Sequence, residues 1–178
     1  MEGRGEIITP ISRLIPGRAW AGKRDFWMLL IYPGFAISTG DIYHRYSSPH
    51  KQSWPNRRRA TTQAAPKREA EDSANSKFEL IMSGLKLGLT RPVGKGLFNA
   101  LQETVFCKYP VLEMIKKRLE KAGAKHVLLT GSGSTVFVLL KKREEGKKMA
   151  KLIRQQIGSP LWTQVVHTIG KQGSEIII

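Results

Sequence analysis

The sequence predicts an α+β fold of the split βαβ kind, an antiparallel sheet with helices on one face. Three observations lead there. A continuously apolar run at 26–32 stops at Pro33-Gly34, as a buried strand closed by a turn does. Two further β-rich runs, 127–130 and 135–140, flank Gly131-Ser132-Gly133-Ser134 and form a hairpin-like pair. Between and after them the apolar residues recur with helical spacing, so the order is strand, helices, strand, strand, helix, strand.

Taken in order, Phe26 to Tyr32 is the first strand. Ser38-Thr39-Gly40-Asp41 offers capping oxygens to a short helix whose Ile42, Tyr43 and Tyr46 share one face. From Ser47 to about Lys77 aliphatic side chains nearly vanish and three prolines intervene, so 47–77 is expected to be a basic, flexible insertion. Phe78, Ile81, Met82 and Leu85 restart a helix that Gly88, Pro92, Gly94 and Gly96 interrupt. Leu97, Leu101, Thr104 and Val105 suggest a helix ending near Tyr109. Pro110 suits a first helical position, and Val111, Leu112, Ile115 and Leu119 form an apolar stripe ahead of a stop at Gly123. Met149, Leu152, Ile153 and Ile157 mark a helix over 144–157 with a cationic outer face, and 161–169 is the last strand. Residues 170–178 form a tail, and no internal repeat is present.

A chain of 178 residues with 40% hydrophobic content can bury a real core. Its formal net charge of +16 attracts polyanions without selecting one. The longest apolar run falls far short of the roughly 20 residues a membrane helix needs, and the N-terminal stretch lacks the apolar core of a secretory signal. Cys107 is the only cysteine, so an internal disulfide is excluded; the cytoplasm is the default compartment and an inert thiol the default role. His44, His50, His126 and His167 show no zinc spacing, and no metal site is expected. Arg57-Arg58-Arg59, with Trp54 before it and Lys67-Arg68 after it, could grip phosphates or RNA, although a solvated loop is the commoner outcome of such a run.

The glycine loop at Gly131, Ser132, Gly133 and Ser134 is the most informative local feature. Glycines let successive backbone N–H groups approach an anion closely. It is neither a Walker loop nor a dinucleotide fingerprint, since no Lys-Ser/Thr pair or following helix accompanies it. With its preceding helix, Tyr109 to Leu140, YPVLEMIKKRLEKAGAKHVLLTGSGSTVFVLL, resembles the third motif of the GHMP kinases. Upstream, GRGEIITPIS at 3–12, IYPGFAISTGDIYH at 31–44 and FNALQETVF at 98–106 stand in the order found in one branch of that superfamily, the kinases of 4-diphosphocytidyl-2-C-methyl-D-erythritol. The resemblance covers the C-terminal half of such a kinase.

It implies a ferredoxin-like C-terminal domain over 26–169, with 1–25 a remnant of the junction with an N-terminal kinase domain. It implies ATP and Mg²⁺ as cofactors and a cytidine-diphosphate-linked methylerythritol as substrate, in the non-mevalonate route to isoprenoid precursors. Thr39 and Tyr43 match the position of a substrate contact and of an aromatic ring against cytosine; packing on an amphipathic helix is the competing role for Tyr43. Gly131 to Ser134 match the loop that borders the phosphoryl-transfer site, with Ser134 where proline is usual. Around Asn99, Ala100-Leu101-Gln102 replaces an acidic pattern, which favours a structural helix. The family's phosphate loop and its lysine and aspartate lie N-terminal to the GRGEI segment, so no catalytic residue is expected in this chain and it should be inactive alone. A separate N-terminal half would be its partner; the alternative is a basic module binding nucleic acid or another polyanion.

Overall fold

A computed structural model describes residues 26–48, 67–158 and 160–168. Four strands, β1 (Trp27–Tyr32), β2 (Val127–Leu129), β3 (Val136–Leu140) and β4 (Trp162–His167), form one antiparallel sheet in the order β2-β3-β1-β4. The first strand therefore lies inside the sheet, between two strands that come late in the sequence. The helices among the described residues are α1 (Thr39–Ser47), α2 (Lys67–Leu87), α3 (Thr90–Gly96), α4 (Gln102–Lys108), α5 (Pro110–Lys121) and α6 (Arg143–Ile157). Element order and sheet order together are the split βαβ arrangement expected from the sequence.

Side chains alternate across a strand, and the pairing of Leu29 with Val138 and Val165 and of Ile31 with Val136 puts these on one face. Val127 and Leu129 join them opposite Val138 and Val136. Leu112, Ile115 and Leu119 of α5, Ala150 and Ile153 of α6, Leu101 and Val105 next to or within α4, and Ile42 of α1 close over that face in one core. Fully burying one such aliphatic side chain contributes about 1.5–3 kcal/mol. Pro110 opens α5, as its fixed φ and missing N–H allow. At the far end Ala124 N–H reaches Leu119 O at 3.0 Å, a Schellman-type closure.

Two expectations need correction. Residues 67–77, read as part of a flexible insertion, are the first half of α2, while 49–66 lie outside the described residues, as do 1–25 and 169–178. The punctuation at 88–96 contains a helix, α3. Pro92 is its third residue, where a backbone N–H would have no intrahelical acceptor anyway. A glycine on each helix lets α2 and α3 approach closely: a Cβ at Gly84 of α2 would sit 2.6 Å from Val93 Cγ2, and one at Gly96 of α3 2.5 Å from Lys77 O. On α1 only Ile42 enters the core, while Tyr43 and Tyr46 stay exposed.

Candidate functional site

The glycine loop connects β2 to β3, and its backbone follows from its sequence. Gly131 and Gly133 have φ of 50° and 90°, the left-handed region where a Cβ is strained. Gly133 N–H donates to Thr130 O at 2.9 Å, and Thr130 N–H to Thr135 O at 2.9 Å, so the turn is closed by its own backbone. Ser134 is buried and its hydroxyl donates to Phe35 O, which ties the loop to the chain leaving β1. Gly131 and Ser132 remain at the surface side of the loop.

The start of α1 meets this loop. Ser38 caps the helix, its hydroxyl accepting from Asp41 N–H at 3.4 Å. The hydroxyls of Thr39 and Ser132, 93 residues apart in sequence, share a 2.8 Å hydrogen bond. Tyr43 stands one turn further along the same side of the helix with 57% of its surface exposed. The structure therefore brings together Thr39 and Ser132, leaves the Tyr43 ring open nearby on α1, and turns Ser134 inward as a brace.

Asp41 fastens this helix start to α4. Its Oδ2 accepts from Lys108 Nζ at 2.6 Å and its carboxylate from Arg45 Nε at 3.0 Å. The Lys108 hydrogen bond is the main reason its carboxyl lies below the usual range; partial burial opposes this and Arg45 adds to it. The same bond raises the Lys108 ammonium.

Sequence reading missed two residues that shape the loop. Asn99 Nδ2 donates to both Leu129 O and Gly131 O at 2.8 Å, and its Oδ1 accepts from Leu101 N–H at 2.9 Å. Gln102 Oε1 accepts from Leu129 N–H at 3.1 Å. Both therefore have a polar role: they satisfy the outward backbone of an edge strand and hold the loop from behind. A segment rich in Asn and Gln beside a strand edge is a weak signal, because the partner lies about 30 residues on and only the fold pairs them.

These residues do not by themselves fit ATP and Mg²⁺. Among the described residues no group of three or more His, Cys, Asp or Glu could hold a metal ion. The carboxylate of Asp41 is taken by two cations, and the loop spends Gly133 N–H on its own turn. Arg57 to Arg59 and His50 lie outside the described residues; Cys107 is half-buried in α4. Among the described residues no helix is long and apolar enough to cross a membrane.

Residues 81–156 match the family model for the C-terminal region of GHMP kinases, and the fold is that of such a C-terminal domain. Over most of its length the chain is similar to 4-diphosphocytidyl-2-C-methyl-D-erythritol kinases. It is 28% identical over 169 residues to that of Thermodesulfovibrio yellowstonii, covering 95% of this chain and 48% of the relative. It is 31% identical over 138 residues to that of Geobacillus thermodenitrificans, covering 78% and 37%. The chain thus spans less than half the length of these relatives. Among solved structures, a homoserine kinase from Cytophaga hutchinsonii superposes with TM-score 0.58 at 16% identity, covering 82% of this chain and 42% of that one. A 4-(cytidine 5'-diphospho)-2C-methyl-D-erythritol kinase superposes with TM-score 0.53 at 20% identity, covering 82% and 44%. At those identities the superpositions establish the fold.

Proposed function

We propose that the chain is the C-terminal, substrate-facing part of a cytoplasmic kinase that phosphorylates 4-diphosphocytidyl-2-C-methyl-D-erythritol with ATP and Mg²⁺, on the non-mevalonate route to isoprenoid precursors, and that these 178 residues are inactive by themselves. The observation that carries this reading is the Thr39–Ser132 hydroxyl bond. It joins the helix start matched to a substrate contact to the loop matched to the phosphoryl-transfer border, with the open Tyr43 ring one turn away. Thr39 and Tyr43 are the proposed substrate contacts, Tyr43 offering a π-face to cytosine. Gly131 and Ser132 face the transfer site, with Gly133 and Ser134 holding their geometry. The phosphate cradle and the groups that handle the proton come from an N-terminal kinase domain. Phosphoryl transfer is mainly positioning and charge neutralisation, so one lobe without the other lacks most of what lowers the barrier.

The test combines turnover with base binding. The purified chain given ATP, Mg²⁺ and the cytidylyl substrate should form no phosphorylated product. Cytidine should shift the Tyr43 ring signals in an NMR titration, Tyr43→Phe should keep the effect, and Tyr43→Ala should weaken it by about 1–3 kcal/mol. Turnover comparable to that of a full-length kinase would overturn the inactivity, and cytidine binding indifferent to Tyr43→Ala would overturn the base contact.

A further inference from the structure

A cleft of about 420 Å³, with Asn99 in its wall and none of Gly131 to Ser134, lies between the end of α3, the start of α4, α5 and the leading end of β2. It lies within the size range of small-ligand sites. Its walls include Phe98, Gln102, Glu103, Lys116, Lys125 and His126. The charges are unevenly compensated. Lys116 is neutralised by Glu120 and also donates to Val127 O at 3.2 Å. Lys125 is exposed, and among the described residues it has no ion pair; the same is true of Arg91 and Lys95 on α3.

The field of these cations converges on a half-buried ring. His126 packs directly on α3, where a Cβ at Gly94 would come within 2.2 Å of its Cγ. Burial first, then Lys125, Arg91 and Lys95, hold its imidazole below the usual range. Glu103, at the exposed rim of α4, is the carboxylate among the residues that line the cleft. At the mouth the Phe98 ring is 61% exposed, with Lys77 Nζ 4.6 Å from its centroid. A concave, cationic wall with an apolar ring beside it focuses a field that a small dianion would relieve.

We propose that this cleft binds a phosphate monoester, with Lys125 and His126 as its anion contacts and Phe98 as the wall against the esterified group. This goes beyond the proposed kinase function, because none of the residues matched to substrate or transfer lines the cleft. Basic surfaces are common on a chain of +16, so the distinguishing feature is convergence on one half-buried imidazole within a concavity.

The test is an NMR titration of the whole chain with inorganic phosphate and, separately, phenyl phosphate. Saturating phosphate should raise the His126 pKa and shift amides along 125–128. Lys125→Glu should weaken phosphate binding by about tenfold or more, as expected for a lost charge-assisted contact. Lys148→Glu, the same charge change on the outer face of α6, should leave it within about twofold. Phe98→Ala should weaken phenyl phosphate and spare inorganic phosphate; equal loss of both would assign the site to free phosphate alone and overturn the ester wall. A His126 pKa unmoved by saturating phosphate, read on the unaltered chain, would overturn the site. So would equal weakening by Lys125→Glu and Lys148→Glu, which would reduce the binding to general attraction.

Discussion

Gly94 and Gly40 both lie in helices, but their surroundings differ. A Cβ at Gly94 would meet the near side of the His126 ring, a rigid group that cannot swing away at its Cγ, whereas one at Gly40 meets nothing within 4 Å. Gly94→Ala should therefore cost about 1–3 kcal/mol by overpacking, and Gly40→Ala should be neutral or stabilise by about 0.4–1 kcal/mol through the unfolded chain. Chemical denaturation of the two variants checks this, and equal stability would contradict the close α3–β2 approach. The same histidine makes stability depend on pH. Its folded pKa is lowered from 6.5, so the stabilisation is complete above 6.5, and falls as the unfolded state takes up the proton first, until the folded value is passed. Lys125, Arg91 and Lys95 oppose its protonation and Glu103 is the carboxylate lining the same cleft, with Lys116 held by Glu120. Denaturation midpoints between about pH 7.5 and about pH 5 should drop less in His126→Gln than in the unaltered chain.

Among the elements, what the sequence discloses depends on how local the cause is. The 26–32 run declares β1 because a short apolar stretch stops at the Pro33-Gly34 turn, although only the alternate residues Leu29 and Ile31 are fully buried. The stripe Leu112, Ile115, Leu119 declares α5 because the burial period is the helical one. Residues 67–77 hide their helix behind a polar composition that resembles a linker, and Pro92, Gly94 and Gly96 hide α3 because their breaker character is local while the surfaces the two glycines fit, His126 for Gly94 and α2 for Gly96, are not. The Thr39–Ser132 bond was legible only as two motifs, and Asn99 and Gln102 not at all. What they do shows at the outer edge of β2: Gln102 and Asn99 bond Leu129, Asn99 bonds Gly131 O and Lys116 bonds Val127 O. Such side chains protect an edge strand from pairing with another chain. Asn99→Ala should cost about 1–3 kcal/mol, and Asn99→Ala with Gln102→Ala should also speed amide exchange over 127–134. It should promote association that rises with protein concentration, read by light scattering. A double variant that stays monomeric with unchanged exchange would refute the edge-protection role.

For the whole molecule, charge and apolar surface pull in opposite directions. The second face of the sheet carries Met28, Leu30 and Tyr32 of β1 beside Phe137 and Leu139 of β3 and Val166 and Trp162 of β4. Only Leu139 of these is buried, while Tyr32 and Trp162 are 36% and 52% exposed. An apolar face of this kind favours association, whereas a net charge of +16 repels one copy from another. Repulsion between exposed charges is screened over about 10 Å at 0.1 M salt and about 3 Å at 1 M, but burial of apolar area is not weakened by salt. The chain should therefore be monomeric and weakly dye-binding at low salt, and should associate as salt rises. Nucleic-acid binding would show the opposite trend, since its affinity falls with salt. Replacing Leu30 and Trp162 by threonine should abolish the salt-induced association while keeping the strand propensity of both positions. Sedimentation across a salt series decides between the two: association that weakens as salt rises, or that persists in the double variant, would mean that this face is not the one that drives it.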